Sequence, residues 1–161
     1  MSIKAGDSLP TGIKLKELGD SGPKDVTSDE IFKGKKVVLF AVPGAFTPTC
    51  SLKHVPGFVE QASAIKSKGV DEIVCLSVND PFVMAAWGES QKATGKVRML
   101  ADGNGEFTKA VGLALDASGF GMGLRSQRFA MIVKDGKVEE LFVEPGAGLD
   151  VSSAESVLAK L

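Results

Sequence analysis

Two continuous apolar runs rich in β-branched residues stand out in the first half of the chain. The first covers residues 36–42 and stops at Pro43 and Gly44, and the second covers residues 72–78 and stops at the Asn-Asp-Pro of 79–81. Short apolar runs without polar alternation are typical of strands that are buried on both faces of a sheet. The pattern therefore predicts two central strands.

The segment between these runs has a helical pattern. Apolar residues recur every three or four positions from about residue 49 to residue 68, which predicts an amphipathic helix that closes at Gly69. Pro56 lies inside this segment. Because a proline ring removes a backbone donor, we expect it to kink or locally widen the helix.

The second half of the chain alternates further helices and strands. Asp80 is placed to cap a helix that runs through Trp87, and a strand over 97–101 and a short helix over 105–111 follow. Strands over 128–133 and 137–143 flank a Lys-Asp-Gly hairpin turn. A final helix is predicted from Ser152 or Ser153 to residue 161, with Glu155 placed for capping. This order predicts an α/β fold with a partly parallel sheet and an antiparallel edge hairpin. No linker or repeat divides the sequence, so we expect a single domain over residues 1–161.

Length and charge exclude several classes of function. The 161 residues are 43% hydrophobic and carry 19 Lys+Arg against 20 Asp+Glu, a balance that disfavours binding to nucleic acid or to an anionic membrane. The longest apolar stretch, residues 37–46, is far shorter than the roughly 18 residues of a membrane span. The first residues lack the apolar core of a signal peptide, so we expect a cytoplasmic protein.

Two cysteines and one histidine limit the chemistry further. A structural zinc site needs about four Cys or His ligands, so no metal site is expected. A domain of this size and apolar content does not need a disulfide framework. Any sulfur chemistry therefore has to use Cys50, Cys75 or both.

Cys50 follows the first predicted strand and lies in the first turn of the next helix. Open α/β sheets place their sites at the carboxyl ends of parallel strands, and the N-terminus of a helix stabilises a thiolate. The alternative is that Cys50 is a small buried hydrophobic residue. Thr47 stands where a Cys-x-x-Cys motif would have its first thiol, which excludes dithiol exchange within this motif. Pro43 and Pro48 stiffen the loop.

The pattern Pro43-x-x-x-Thr47-x-x-Cys50 resembles the active-site signature of peroxiredoxins, and longer segments are similar to the type II branch of that family. Those segments are residues 53–58, 75–82, 87–88 and 125–129, so the resemblance covers essentially the whole chain. It implies a thioredoxin-like fold, with a mixed central sheet flanked by helices. It also implies reduction of hydrogen peroxide and alkyl hydroperoxides at one cysteine, with an external thiol as reductant and no cofactor.

The resemblance assigns roles to individual residues. Cys50 would be the peroxidatic nucleophile and would become a sulfenic acid. Thr47 would hydrogen-bond the thiolate and the peroxide, and Pro43 would shield the pocket. Arg128 would stabilise the thiolate and polarise the peroxide, whereas Arg125 is expected to be a supporting charge.

The single histidine, His54, lies four residues after Cys50 and on the same helix face. A cysteine protease needs a base across the cleft that a third group orients, and this local pair does not have that arrangement. We therefore expect His54 to have a supporting hydrogen-bonding role. Leu115 and Phe120 could form an apolar rim that admits organic peroxides. The apolar residues of the helix that Asp80 caps are expected in the core: Phe82, Met84 and Trp87.

Cys75 lies inside the second strand, where burial raises the pKa of a thiol and limits its access. We expect it to be inert. The alternative is a resolving cysteine, which would require local unwinding of the active-site helix to bring the two Cα atoms within about 7 Å. Some type II relatives resolve through a cysteine in a C-terminal Gly-Leu-Thr-Cys segment, but residues 148–151 here read Gly-Leu-Asp-Val. The sequence therefore favours a one-cysteine cycle with glutathione, glutaredoxin or thioredoxin as the reductant.

Two other classes of function share this fold. A thioredoxin-type disulfide reductase is disfavoured by Thr47, and a binding or chaperone module with a vestigial site is disfavoured by the presence of both Thr47 and Arg128. The resemblance further implies a homodimer formed by the loops and helices near the active site.

Overall fold

The strands of the computed structural model, which describes residues 2–161, include both apolar runs of the sequence. In chain order they are β1 (Lys14–Gly19), β2 (Gly22–Thr27), β3 (Lys36–Ala41), β4 (Glu72–Ser77), β5 (Arg98–Ala101), β6 (Ala114–Asp116), β7 (Leu124–Ser126), β8 (Phe129–Lys134) and β9 (Lys137–Val143). Within the described residues, seven strands form one sheet in the order β2-β1-β5-β4-β3-β8-β9, and β6 pairs with β7 in a separate hairpin.

The sheet is mixed, as the sequence predicts. β3 lies parallel to β4, and β4 lies parallel to β5. β3 pairs with β8 in the antiparallel direction, and β8 and β9 form the edge hairpin. Because β8 runs against β3, its first residue, Phe129, lies opposite Ala41, the last residue of β3. The chain just before β8 therefore lies at the carboxyl end of β3.

Helices cover both faces of this sheet. They are α1 (Ser28–Phe32), α2 (Val55–Glu60), α3 (Ala62–Lys66), α4 (Pro81–Ser90), α5 (Glu106–Ala110) and α6 (Ala154–Leu158), together with a π-helical turn over Cys50–His54 and a 3-10 turn over Ser118–Phe120. Val38 and Phe40 of β3 pack in the layer of α2, α3, α4 and α6, whereas Val37 and Leu39 pack in the layer of α1 and α5. Burial on both faces explains why the strand is apolar throughout.

The helix predicted between β3 and β4 consists of three consecutive pieces. The π turn, α2 and α3 follow one another, with a break at Gln61. The widening expected around Pro56 is present, since the N–H of Val55 donates to the carbonyl of Cys50, five residues earlier. Pro56 itself has no N–H, so it cannot continue α-helical bonding from the turn before it. Gly69 follows α3 with a φ of +90°, a conformation that favours glycine after a helix.

The start of α4 is confirmed, and one of its core assignments is wrong. The carboxylate of Asp80 accepts the N–H of Val83 at 2.8 Å, so it caps the helix. Met84 and Trp87 are buried, as predicted. Phe82, however, is 60% exposed, because in the first turn of α4 it faces solvent rather than the sheet.

The last helix, α6, is capped differently from the prediction. Ser153 is the N-cap, and its hydroxyl oxygen accepts the N–H of Ser156 at 3.2 Å. The expected capping by Glu155 was wrong, because a cap at Ser153 puts Ser156 at the third helical position that completes such a motif.

The hydrophobic pattern does not reveal the hairpin of β1 and β2. Within these two strands the buried residues are Leu15 and Val26, too few to produce a readable alternation. The hairpin joins the main sheet where Lys16 pairs with Ala101 of β5.

Two further observations concern membranes and metals. Among residues 2–161, no helix combines the length and the apolar character needed to cross a membrane. Over the same range, no three His, Cys, Asp or Glu side chains are grouped in a way that could hold a metal ion.

Candidate active site

Cys50 begins the π turn, directly after the loop that follows β3. Its side chain is completely buried and is a free thiol. In this loop the N–H of Ala45 donates to Oδ1 of Asn79 at 2.9 Å, and the hydroxyl of Ser77 at the end of β4 donates to the same oxygen at 2.6 Å. The loop is thereby attached to the carboxyl ends of two parallel strands, where sheets of this kind place their sites.

Arg128 lies immediately before β8, the antiparallel neighbour of β3, and its side chain reaches the sulfur of Cys50 at the carboxyl end of β3. It is only 4% exposed. Its Nη2 donates to Sγ of Cys50 at 3.2 Å, and its Nη1 donates to Nδ1 of His54 at 2.8 Å. Within residues 2–161, its Nε is the buried side-chain polar atom that has no hydrogen-bond partner. The antiparallel pairing of β3 and β8 thus brings together two residues that are 78 positions apart in the sequence.

His54 connects the arginine to the C-terminal part of the chain. Its Nε2 lies 2.9 Å from the carbonyl oxygen of Ser152, which can only accept, so Nε2 carries the proton and Nδ1 accepts from Arg128. Burial, together with the neighbouring guanidinium charge, lowers the pKa of His54 to about 3. The imidazole is therefore neutral, and both ring nitrogens are used in hydrogen bonds.

Thr47 and Arg125 are bonded to the loop rather than to the sulfur. The hydroxyl of Thr47 donates to the carbonyl of Gly44 at 2.7 Å. The hydroxyl proton is therefore used in this bond and not in the expected hydrogen bond to the Cys50 thiolate. The lone pairs of the hydroxyl oxygen remain able to accept a hydrogen bond. Arg125, in β7, donates from Nε to the carbonyl of Met122 at 3.0 Å and from Nη1 to the carbonyl of Pro43 at 3.4 Å. The structure thus places Arg125 against the loop that carries Pro43.

Cys75 lies in the middle of β4, opposite Phe40 of β3. It is fully buried in the same apolar cluster as Cys50, and it is also a free thiol. Burial, reinforced by the electrostatic interaction with the neighbouring Cys50, raises the pKa of Cys75 well above its usual range. This environment keeps Cys75 protonated.

The two residues expected to form an apolar rim lie on the hairpin that carries Arg125. Leu115 pairs directly with Arg125 across β6 and β7, and it is partly exposed. Phe120 lies in the 3-10 turn that connects the two strands and is 86% exposed.

Sequence reasoning missed two residues that contact this network. Both are buried polar residues: Ser152 was considered only as a possible start of the last helix, and Glu144 belongs to no motif that would have distinguished it. Trp87 was assigned to the core alone, yet its Nε1 also donates to the hydroxyl of Ser51 in the π turn at 3.0 Å.

Comparison with known proteins identifies the family. The family model named Redoxin matches residues 4–158. Peroxiredoxin-2B of Arabidopsis thaliana is 51% identical over 160 residues, which cover 99% of this chain and 98% of that protein. The chain belongs to the peroxiredoxin family. This peroxiredoxin is a thiol-dependent peroxidase, an oxidoreductase that uses a peroxide substrate and a thiol reductant.

Solved structures confirm the thioredoxin-like α/β fold. Reduced Prx3 of Vibrio vulnificus in complex with hydrogen peroxide is 53% identical, with a TM-score of 0.93 over 98% of each chain. Peroxiredoxin 5 of Alvinella pompejana is 38% identical, with a TM-score of 0.85 over 98% of this chain and 96% of that one. The type II resemblance drawn from the sequence is likewise confirmed by relatives named peroxiredoxin-2 and peroxiredoxin 5.

Proposed function

We propose that this peroxiredoxin reduces hydrogen peroxide and alkyl hydroperoxides at Cys50 through a one-cysteine cycle. The observation that carries the proposal is the 3.2 Å contact between Nη2 of Arg128 and Sγ of Cys50. A buried guanidinium in this position favours the thiolate form of the sulfur, which is the nucleophile.

In the oxidative step, the thiolate attacks one peroxide oxygen. A sulfur–oxygen bond forms, the oxygen–oxygen bond breaks, and the departing oxygen takes up a proton to leave as water or an alcohol. Cys50 becomes a sulfenic acid. Arg128 stabilises the negative charge that moves onto the departing oxygen, and its Nε–H is a donor without a partner among residues 2–161. The lone pairs of Thr47 accept a hydrogen bond from the hydroperoxide O–H.

The burial of Cys50 affects both access and chemistry. Since the side chain has no solvent exposure, a peroxide can reach the sulfur only after a local movement of the groups that cover it. The closed site keeps bulk water from the sulfur and strengthens the electrostatic effect of Arg128.

In the reductive step, an external thiol attacks the sulfenic acid. Water leaves and a mixed disulfide forms on Cys50, and a second thiol then releases the reduced enzyme. Glutathione with glutaredoxin, or thioredoxin, is the proposed reductant. Two observations support an external thiol: Cys75 is buried and protonated, and Val151 stands where some type II relatives are expected to have a thiol. No prosthetic group enters this cycle.

Stopped-flow oxidation and intact mass test the proposal together. Wild-type Cys50 should react with hydrogen peroxide far faster than free cysteine, and Arg128→Ala should lower the second-order rate constant by about 10²- to 10³-fold, the usual cost of losing one charge-stabilising donor. After one equivalent of peroxide, the mass should rise by one oxygen. A rate equal to that of free cysteine contradicts the peroxidase role. Formation of a Cys50–Cys75 disulfide, with loss of turnover in Cys75→Ala, contradicts the one-cysteine cycle.

The exposed positions of Leu115 and Phe120 support a role in accepting organic peroxides. Phe120→Ala should raise the KM for cumene hydroperoxide and leave the KM for hydrogen peroxide unchanged, because the smaller substrate has no apolar group to bury. An equal effect on both substrates would contradict a rim function.

A homodimer and a cytoplasmic location are proposed as well. Large apolar side chains are exposed in the active-site loop, in the π turn and at the start of α4, and they support self-association: Phe46, Leu52 and Phe82. Sedimentation should give a dimer for the wild type and a shift towards monomer for Leu52→Asp.

Cell fractionation of the tagged protein tests the location.

A further inference from the structure

A buried carboxylate outside the peroxidatic loop has no part in the proposed chemistry. Glu144 follows β9 directly and is only 6% exposed. Its Oε2 accepts three hydrogen bonds, from the N–H of Asp150 at 2.8 Å, from the N–H of Ser152 at 2.8 Å and from the hydroxyl of Ser152 at 2.7 Å. One oxygen thus holds the loop between β9 and α6 in a defined turn.

The position of Ser152 decides what that turn does. Its carbonyl accepts the Nε2–H of His54 at 2.9 Å, and Nδ1 of His54 accepts from Nη1 of Arg128 at 2.8 Å. In addition, the backbone N–H of Glu144 donates to the carbonyl of Arg128 at 3.0 Å. Glu144, Ser152, His54 and Arg128 therefore form a closed ring of hydrogen bonds, and the guanidinium of that ring contacts Cys50.

We propose that Glu144 is a positioning residue of the peroxidase reaction, which holds Ser152 so that His54 aims the Arg128 guanidinium at the sulfur. The proposal rests on the role of Arg128 stated above. An arginine side chain has many rotamers, and a misplacement of about 1 Å at a reacting centre can cost about 10²-fold in rate.

The ring also selects one tautomer of His54. Nδ1 can accept from Arg128 only while the proton sits on Nε2, and the Ser152 carbonyl is the group that holds it there. If Glu144 releases the turn, the carbonyl moves, the other tautomer becomes accessible and Arg128 loses an acceptor. This consequence separates positioning from ordinary stabilisation of a loop.

Reach and charge can be varied independently at Glu144. Glu144→Gln keeps a carbonyl oxygen at the position of Oε2 and removes the charge, whereas Glu144→Asp keeps the charge and withdraws the acceptor by one methylene. Because the proposal depends on where the acceptor lies, Glu144→Asp should lower the rate constant for Cys50 oxidation about tenfold. Glu144→Gln should stay within about twofold of the wild type.

Asp102 offers a matched control. It is also a buried carboxylate, and it accepts the N–H groups of Phe107 and Thr108 and the Thr108 hydroxyl, but these bonds hold the start of α5 on the opposite face of the sheet. Asp102→Asn should lower the stability of the fold and leave the oxidation rate within about twofold of the wild type.

A second readout does not depend on activity. His54 is the only histidine of the chain, so its ring nitrogens give unambiguous signals in a long-range ¹H–¹⁵N spectrum. The wild type and Glu144→Gln should show a single Nε2–H tautomer at neutral pH, and Glu144→Asp should show a mixture or a shifted Nε2–H signal.

The experiment measures stopped-flow oxidation of Cys50 and the His54 spectrum in the wild type, Glu144→Asp, Glu144→Gln, Asp102→Asn and Arg128→Ala, each at a temperature where the protein is folded. A slow Glu144→Asp with an altered His54 signal, beside a normal Glu144→Gln, is the expected result. A normal rate and spectrum in Glu144→Asp, or an equal loss in Glu144→Gln, overturns the positioning role. Wild-type and Arg128→Ala rates that are both as slow as free cysteine would overturn the proposed function itself, whereas the spectrum of His54 reports on the ring in either case.

Discussion

At the scale of single residues, the contact between Arg128 and His54 determines the charge distribution of the site. An arginine stays protonated in proteins, so the histidine beside it is held neutral, with a pKa lowered to about 3 by burial and by that charge. The imidazole acts as an acceptor for Nη1, which leaves Nη2 for the sulfur. Because Nη1 and Nη2 belong to one rigid guanidinium, a movement that weakens the contact with His54 also shifts the contact with Cys50.

This double contact makes lysine a poor substitute for Arg128. A lysine ammonium is a compact charge without the planar fork that reaches Nδ1 of His54 and Sγ of Cys50 at once. Arg128→Lys should therefore retain part of the electrostatic benefit and lower the rate constant for hydrogen peroxide by roughly 10- to 100-fold, less than Arg128→Ala. Stopped-flow kinetics measure the effect, and a wild-type rate in Arg128→Lys would show that charge alone is sufficient.

At the scale of elements, the π turn that contains Cys50 is held by a neighbouring helix as well as by its own backbone bonds. It lies between a proline-stiffened loop and Pro56, and Trp87 of α4 donates to Ser51 within it at 3.0 Å. π-helical segments are rare and short because their bonding is less favourable than that of the α-helix. The contact with Trp87 therefore helps to keep Cys50, the proposed nucleophile, in place.

The Trp87–Ser51 bond should be measurable as a coupling energy. Ser51→Ala should lower the free energy of unfolding by about 1 kcal/mol, because it leaves the buried indole N–H without its partner. In a Trp87→Phe background, the same substitution should cost almost nothing, since the bond is already absent. Urea unfolding of the four proteins gives the cycle, and additive losses would show that the bond contributes no stability.

Substitution by alanine should have opposite effects on stability at two helical glycines in the same helix layer. A Cβ at Gly88 in α4 would lie 2.6 Å from Cγ of Met99 in β5, whereas a Cβ at Gly57 in α2 would lie no closer than 3.7 Å to Ala154. Gly88→Ala should destabilise the protein by about 1–3 kcal/mol through overpacking. Gly57→Ala is the matched control and should be neutral or stabilising by up to about 1 kcal/mol. Thermal unfolding compares them, and equal effects would argue against close packing of α4 on β5.

At the scale of the whole molecule, the active site is assembled from three distant regions of the chain. The carboxyl end of β3 leads to Cys50, the start of β8 brings Arg128, and the loop after β9 brings Ser152 to His54. The pairing of β3 with β8 and the docking of the loop after β9 are therefore required before the site exists, so stability of this part of the sheet and integrity of the site are linked.

Buried His54 makes this stability sensitive to acid. Its pKa falls from the ordinary value of 6.5 to about 3 on folding, so the unfolded chain binds a proton that the folded protein does not. The contribution of His54 to stability is complete above about pH 6.5 and is lost as the pH falls towards 3, at up to about 1.4 kcal/mol per pH unit.

Between pH 6 and pH 4, the wild type should accordingly lose about 2 kcal/mol more free energy of unfolding than His54→Gln, which has no titrating ring. The carboxylates titrate in both proteins, so the difference isolates the histidine. Urea unfolding over this pH range is the measurement, and parallel pH profiles of the two proteins would contradict a buried neutral imidazole.

Much of the fold was predictable from local patterns. Strands such as β3 and β4 are apolar along their whole length because helices cover both faces, and Pro56 signals the widened turn through its missing N–H. The peroxidatic loop is equally local, since Pro43, Thr47 and Cys50 lie within one short segment. The β1–β2 hairpin was not predictable, because so little of it is buried.

The sequence by itself determined the α/β alternation and the position of Cys50 directly after the loop that follows β3, because each depends on residues that are close in the chain. Only the tertiary structure decided which groups surround the sulfur. The register of β3 against β8 places Arg128 on Cys50, and the bond from His54 to Ser152 joins residues 98 positions apart. Such contacts arise from strand register and loop closure over the whole sheet, which a local pattern of polar and apolar residues does not encode.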